Sequence, residues 1–240
     1  DDAFDRLGLA AEKKELVRGL VENYQTSFSD IISGKGGGCI FLLHGQPGTG
    51  KTLTAEAIAE LLHRPLYSVT VGELGTNTGE LEKSLREILE VASAWNAVVL
   101  LDEADIFLEK RTENDITRNA MVGIFLRLLE YHQGVLFLTT NRVKSFDSAF
   151  HSRISVALRY PDLGREERRQ VCTNLLAAAN IEGLDVDELS AWELNGRQLK
   201  TTIRLAQSLA LRQGVPVSKQ HIEQTVGIAQ QFKQDLNGGA

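Results

Sequence analysis

Apolar positions follow two different rhythms along the chain. Short runs that are apolar almost throughout recur at CIFLLH (39–44), LYSVTV (66–71), AVVLL (97–101), VLFLTTN (135–141) and ISVALRY (154–160). Between them lie longer stretches with apolar residues every three or four positions, the spacing of one helix face. The segment 11–24 places Leu16, Val17, Leu20, Val21 and Tyr24 in that way. LTAEAIAELLHR (53–64) ends at Pro65, TGELEKSLREILEVASAW (78–95) has Thr78 as its candidate N-cap, and ITRNAMVGIFLRLLEYH (116–132) completes the set. A strand with no polar face must be covered on both sides. Such strands alternating with helices predict a parallel sheet between helical layers. SGKGGG (33–38) reads as a flexible loop.

The rhythm changes at Pro161. REERRQVCTNLLAAAN, DVDELSAWE, GRQLKTTIRLAQSLALRQ and SKQHIEQTVGIAQQFKQ all have helical spacing. Residues 1–160 therefore predict an α/β subdomain and 161–240 an all-helical one.

Chemistry enters where the first apolar run ends. GQPGTGKT (45–52) satisfies GxxxxGK[ST] through Gly45, Gly50, Lys51 and Thr52. With glycine at about 7% of residues, a chance match in a chain this long is on the order of one per cent. The alternative is a glycine-rich turn with a solvated lysine. Position between a buried strand and a helix favours a phosphate cradle, because glycines let main-chain amides converge on an anion and the helix adds its positive end. Pro47, Gly48, Thr49, Gly50, Lys51, Thr52 and Leu53 are assigned to the polyphosphate. Lys51 neutralises the β- and γ-phosphates, and the Thr52 hydroxyl is a Mg²⁺ ligand.

VVLLDEAD brings Asp102 and Glu103 out at the end of another buried run. In open parallel sheets ligands bind at that edge. Asp102 suits a Mg²⁺ held through water, and Glu103 suits a base that orients and deprotonates an attacking water. An acidic N-cap for the next segment is the competing reading. Asn141 ends VLFLTTN, where its amide can meet that water or the γ-phosphate; an isolated asparagine there is a turn residue. Arg153 and Arg197, taken singly, read as surface residues.

Composition narrows the classes. The chain has 240 residues, 42% hydrophobic and 24% charged, and a net charge of −6. These values suit a globular chain with a real core and no general nucleic-acid footprint. Cys39 and Cys172 are far apart, and the five histidines form no metal motif. No apolar run approaches the roughly 18 residues of a membrane span, and no signal peptide is present, so an intracellular location is expected. The start at DDAFDRL without methionine and the LNGGA end suggest a domain excised from a longer protein, with a disordered tail.

In this order the motifs resemble the AAA family of the AAA+ ATPases. GQPGTGKT resembles its Walker A, VVLLDEAD its Walker B, LTTN its sensor 1 strand end, FDSAFHSRI its arginine-finger stretch and NGRQLKTTIRLA its sensor 2 helix. The likeness spans nearly the whole chain. LLDEADIFLEKR and SRISVALRYPDLGREER are most similar in wording to large fungal AAA proteins, and similar also to mitochondrial AAA proteins of animals. The resemblance implies a P-loop NTPase αβα sandwich with strand order 5-1-4-3-2 and a small four-helix lid. It implies ATP and Mg²⁺ as cofactors and a homo-oligomeric ring, usually a hexamer. Arg153 would reach a neighbour's γ-phosphate, Arg197 would sense phosphate from the lid, and FDRLGL around Gly8 would back the adenine.

Two departures stand out. FHSRIS offers one arginine where many members have two. GTNTGELEK places Asn77 and Thr78 before Gly79, where threading members carry an aromatic residue that grips peptide. The expected function is therefore an ATP-hydrolysing remodeller of protein partners, with a nucleotide-gated oligomeric scaffold as the alternative.

Overall fold

The computed structural model describes residues 2–5, 7–23, 38–109, 115–142 and 146–237. The chain divides into two compact units, Asp1–Pro161 and Asp162–Ala240. Tyr24, residues 33–37 of the glycine loop and the last three residues of the tail lie outside the described residues.

Five strands in the first unit form one parallel sheet: β1 Cys39–Gly45, β2 Leu66–Thr70, β3 Val98–Asp102, β4 Val135–Thr140 and β5 Val156–Tyr160. The spatial order is β2-β3-β4-β1-β5, which is the expected 5-1-4-3-2. The flanking helices are α1 Asp2–Asp5, α2 Ala11–Asn23, α3 Lys51–Leu61, α4 Thr78–Ala94, α5 Asp105–Leu108 and α6 Ile116–Glu130. The sheet and its helices make the αβα sandwich of a P-loop NTPase.

Side-chain alternation divides the core in two. Ile40, Leu42, Val99, Leu101, Leu136 and Leu138 face α4 and α6, against Leu81, Leu85, Val122 and Phe125. Phe41, Leu43, Val98, Leu100, Val135 and Phe137 face α1, α2 and α3, against Phe4, Val17, Val21 and Ile58. Phe41 and Phe137, on adjacent strands, stack at 4.8 Å. Each fully buried Leu or Phe contributes roughly 1.5–3 kcal/mol, so the central strands β3, β4 and β1 are the anchor of the unit.

Several elements end differently from the expectation. The N-cap of α4 is Asn77, whose side chain accepts from the Glu80 amide at 2.9 Å; Thr78 is the first helical residue. β2 stops at Thr70 because Val71–Leu74 turns as a 3₁₀ helix. β4 stops at Thr140 and leaves Asn141 just beyond it, and β5 begins at Val156. In α2 the core positions are Val17 and Val21, while Leu16 is exposed.

The second unit contains, among the described residues, α7 Arg165–Ala178, α8 Val186–Ala191, α9 Gly196–Gln213 and α10 Lys219–Asn237. Its own core joins Cys172, Leu176, Leu189, Leu199, Ile203 and Ile222. A capping box between Asn195 and Gln198 starts α9, and Gly214 at φ 68° ends it.

One buried group makes the fold pH-sensitive. His132 follows α6, is 5% exposed, and its Nε2 has no hydrogen-bond partner among the described residues. Burial pushes its imidazole from 6.5 down to about 4. The folded value lies below the unfolded one, so the unfolded chain takes up the proton first as pH falls. Stability from this source is complete above about pH 6.5 and is lost progressively toward pH 4. Between pH 7.5 and 5 the loss is about 2 kcal/mol. Urea unfolding of His132→Leu is expected to show a pH dependence weaker by that amount; an unchanged slope would assign it to other groups.

Candidate functional site

β1 ends against its neighbour. Gly45 pairs with Tyr160 of β5 and has φ 150°; a Cβ there would overlap the Tyr160 carbonyl oxygen and lie 2.9 Å from its carbon. Only glycine passes this point. Gly48 at φ 76° and Gly50 at φ 101° then take left-handed conformations and turn the chain into α3. The first intrahelical bond comes from Thr54 N to Gly50 O at 3.0 Å. The amides of Lys51, Thr52 and Leu53 are thereby those of a first helical turn, which carries donors and a positive dipole end.

Side chains pin this loop from behind. Thr54 Oγ1 donates to Gly50 O at 3.0 Å or shares a proton with Tyr160 Oη at 2.7 Å. Burial pushes the Tyr160 hydroxyl pKa upward, and the Thr54 bond partly opposes it. Thr49 Oγ1 donates to Gln46 O at 2.8 Å. Lys51 is 7% exposed, with its ammonium donating to Gly45 O at 2.9 Å and Gln46 O at 2.8 Å. A buried cation together with the amides of a first helical turn is the donor set of an anion receptor.

All strands run parallel and β4 lies between β1 and β3. The ends of β1, β4 and β3 therefore share one edge, with Asn141 standing between the loop and the acids. Asp102 ends β3, half-buried; its Oδ2 accepts from Thr52 Oγ1 at 3.3 Å and its Oδ1 accepts from Thr139 Oγ1. Glu103 is exposed and has φ 58°. Its amide donates to Thr139 Oγ1 at 3.0 Å, and the Ala104 amide donates to Thr139 O at 2.9 Å. On the other face, Asp105 Oδ1 accepts from Thr140 Oγ1, the Asn141 amide at 3.1 Å and the Arg142 amide at 3.3 Å. Arg142 and Arg118 both pair with Glu109, which closes the network around α5.

The predicted residues thus fall into two groups. Lys51, Thr52, Asp102, Glu103 and Asn141 come together at one sheet edge. Arg153 has its partners elsewhere: it donates to Leu126 O at 3.1 Å and Ala149 O at 2.9 Å and pairs with Glu130 at 3.2 Å. Gly8 lies in an exposed bend after α1; the neighbouring Phe4 and Leu7 are buried in the α3-side core. Arg197 is exposed on the first turn of α9, in the second unit. Thr139, Asp105 and Tyr160 carry contacts that the motif reading missed. The only local signal was polar residues at the tips of otherwise apolar runs.

Burial first, then the Arg159, Lys51 and Lys13 cations, pushes His44 below its ordinary value. Burial also raises Cys39, and it raises Cys172 to about 11, so both thiols stay protonated and inert. Among the described residues no cluster of three His, Cys, Asp or Glu could hold a metal alone. The Thr52 hydroxyl and Asp102 carboxylate are hard oxygen donors beside the anion receptor, a set that fits Mg²⁺ shared with phosphate oxygens.

A glycine-turned loop after β1, a buried lysine and carboxylates at the shared edge define a P-loop nucleotide-binding protein. The family model described as "ATPase family associated with various cellular activities (AAA)" matches residues 41–162, and the chain belongs to that family. A 26S proteasome regulatory subunit homolog of Methanothermobacter marburgensis is 29% identical over 76% of this chain and 52% of its own length. Fidgetin-like protein 1 of Drosophila melanogaster is 30% identical over 76% of this chain and 37% of its own. Human ATPase family AAA domain-containing protein 3B is 35% identical over 54% and 21%. The chain therefore spans about half or less of these relatives. Among the described residues no helix is long and apolar enough to cross a membrane.

Proposed function

We propose that this chain is the motor domain of a ring, usually a hexamer, that uses Mg-dependent ATP hydrolysis to remodel protein partners. The observation that carries the reading is the convergence of Lys51, Thr52, Asp102, Glu103 and Asn141 on one edge of the sheet. Lys51 holds the β- and γ-phosphates, with the loop amides from Gly48 to Leu53 around them. Thr52 and Asp102 hold Mg²⁺, which when bound withdraws charge from the phosphate oxygens. Glu103 takes the proton of the attacking water, and Asn141 orients that water or the γ-phosphate. The bend at Gly8 backs the adenine, and Arg197 senses phosphate from the helical unit acting as a lid. The name of the proteasome regulatory relative supports work on protein partners.

Arg153 is proposed to act in trans on a neighbour's γ-phosphate, exchanging its Glu130 contact for the developing charge. Mixing Arg153→Ala subunits with Glu103→Gln subunits tests this. One class of mixed interface pairs an intact base with an intact finger, so phosphate release returns to a measurable fraction of the parent rate. No recovery in rings shown by mass to be mixed overturns the role.

Asn77 favours a second reading. Its side chain caps α4 at the position where an aromatic grip would stand, so threading by an aromatic ladder has no residue here to perform it. A nucleotide-gated scaffold would assemble with ATP and hydrolyse it slowly. Oligomer mass and phosphate release with and without ATP separate the two, since rapid turnover removes the scaffold.

A further inference from the structure

We propose that Thr139 is a positioning residue for hydrolysis, whose one hydroxyl holds the main chain of Glu103 in the conformation that presents its carboxylate. The inference rests on reading Glu103 as the base.

Thr139 is 2% exposed, within a strand that is otherwise apolar up to that point. A hydroxyl buried there is unfavourable unless it is hydrogen-bonded. Here both directions are used. An amide can only donate, so the Glu103 N–H at 3.0 Å takes a lone pair of Thr139 Oγ1. The single hydroxyl proton is then directed to Asp102 Oδ1, which as a carboxylate can only accept. Polarity along Asp102, Thr139 and Glu103 is thus settled by donor inventory, with Asp102 as the anchor.

Glu103 needs such a hold. Its φ of 58° lies in the left-handed region, which a residue with a Cβ adopts only when its surroundings impose it. Thr139 supplies acceptors on both sides of the turn: its hydroxyl for Glu103 N and its carbonyl for Ala104 N at 2.9 Å. The far oxygen of Asp102 accepts from Thr52 on the first turn of α3 at 3.3 Å. A continuous chain of polar contacts therefore joins the phosphate loop to the backbone of the base. A merely structural threonine would tie β4 to β3 and influence ATP binding and turnover alike.

Thr139→Val keeps the volume and removes the hydroxyl; Thr139→Ser keeps the hydroxyl. Thr139→Val is expected to lower kcat 10- to 100-fold with KM for ATP within threefold of the parent, and Thr139→Ser to stay within threefold in both. In a Glu103→Gln background, adding Thr139→Val is expected to leave ATP affinity within threefold. If thermal melting shows Thr139→Val unfolded, Thr139→Ala is read by the same criteria. Parent-like kcat without the hydroxyl, or ATP affinity falling together with kcat, overturns the inference. Glu103→Gln with parent turnover overturns the base assignment itself. An inactive Glu103→Gln beside a fully active Thr139→Val overturns the Thr139 role alone.

Discussion

Lys51→Ala is expected to weaken ATP binding 100- to 1,000-fold and to eliminate measurable turnover at millimolar nucleotide. The ammonium is buried within the loop, on the carbonyls of Gly45 and Gln46, with solvent largely excluded. Triphosphate entering this space loses water and needs an opposite charge already in place. Truncating one partner of a desolvated, hydrogen-bonded charge pair costs about 2–5 kcal/mol, and 100- to 1,000-fold corresponds to about 3–4 kcal/mol. Lys51→Arg is not expected to restore binding, because a planar guanidinium does not occupy the space of a compact ammonium. Isothermal titration with ATP measures the effect directly. Affinity within threefold of the parent would remove Lys51 from the site.

Glu103→Gln separates binding from chemistry. The amide keeps the size of the carboxylate and cannot take a proton, so kcat is expected to fall by about 10²–10⁴-fold, the range for loss of a positioned general base. ATP affinity is expected to stay within threefold of the parent. The phosphate receptor is built from the loop after β1 and the start of α3, and Glu103 sits on a different strand end, exposed beyond Asp102. A quenched single-turnover assay beside a binding titration tests both halves. Hydrolysis at the parent rate would show that another group accepts the proton.

Local patterns were the most legible part of the chain. The nearly all-apolar runs at 39–44 and 135–141 announced strands covered on both faces, and GxxxxGKT announced its loop through glycine freedom and one cation. These properties depend on neighbours in sequence. Choices between equally suited neighbours were less legible. Asn77 and Thr78 are both good caps, and the cap fell to the residue whose backbone is extended at the turn. Leu16 and Val17 are both apolar, and only packing on the sheet decided that Val17 goes in.

By itself the sequence determined the layers, the strand lengths to within a residue or two, and the identities of the loop lysine and strand-end acids, because periodicity and backbone freedom are encoded over a few residues. Tertiary structure alone decided what holds those groups still. Thr139 meets Asp102 and Glu103, Asp105 meets Asn141, and Tyr160 meets Gly45 and Thr54 only after separate strands pair in register. A hydrogen bond requires its partners within about 3 Å, and residues tens of positions apart reach that distance only when the whole sheet has formed.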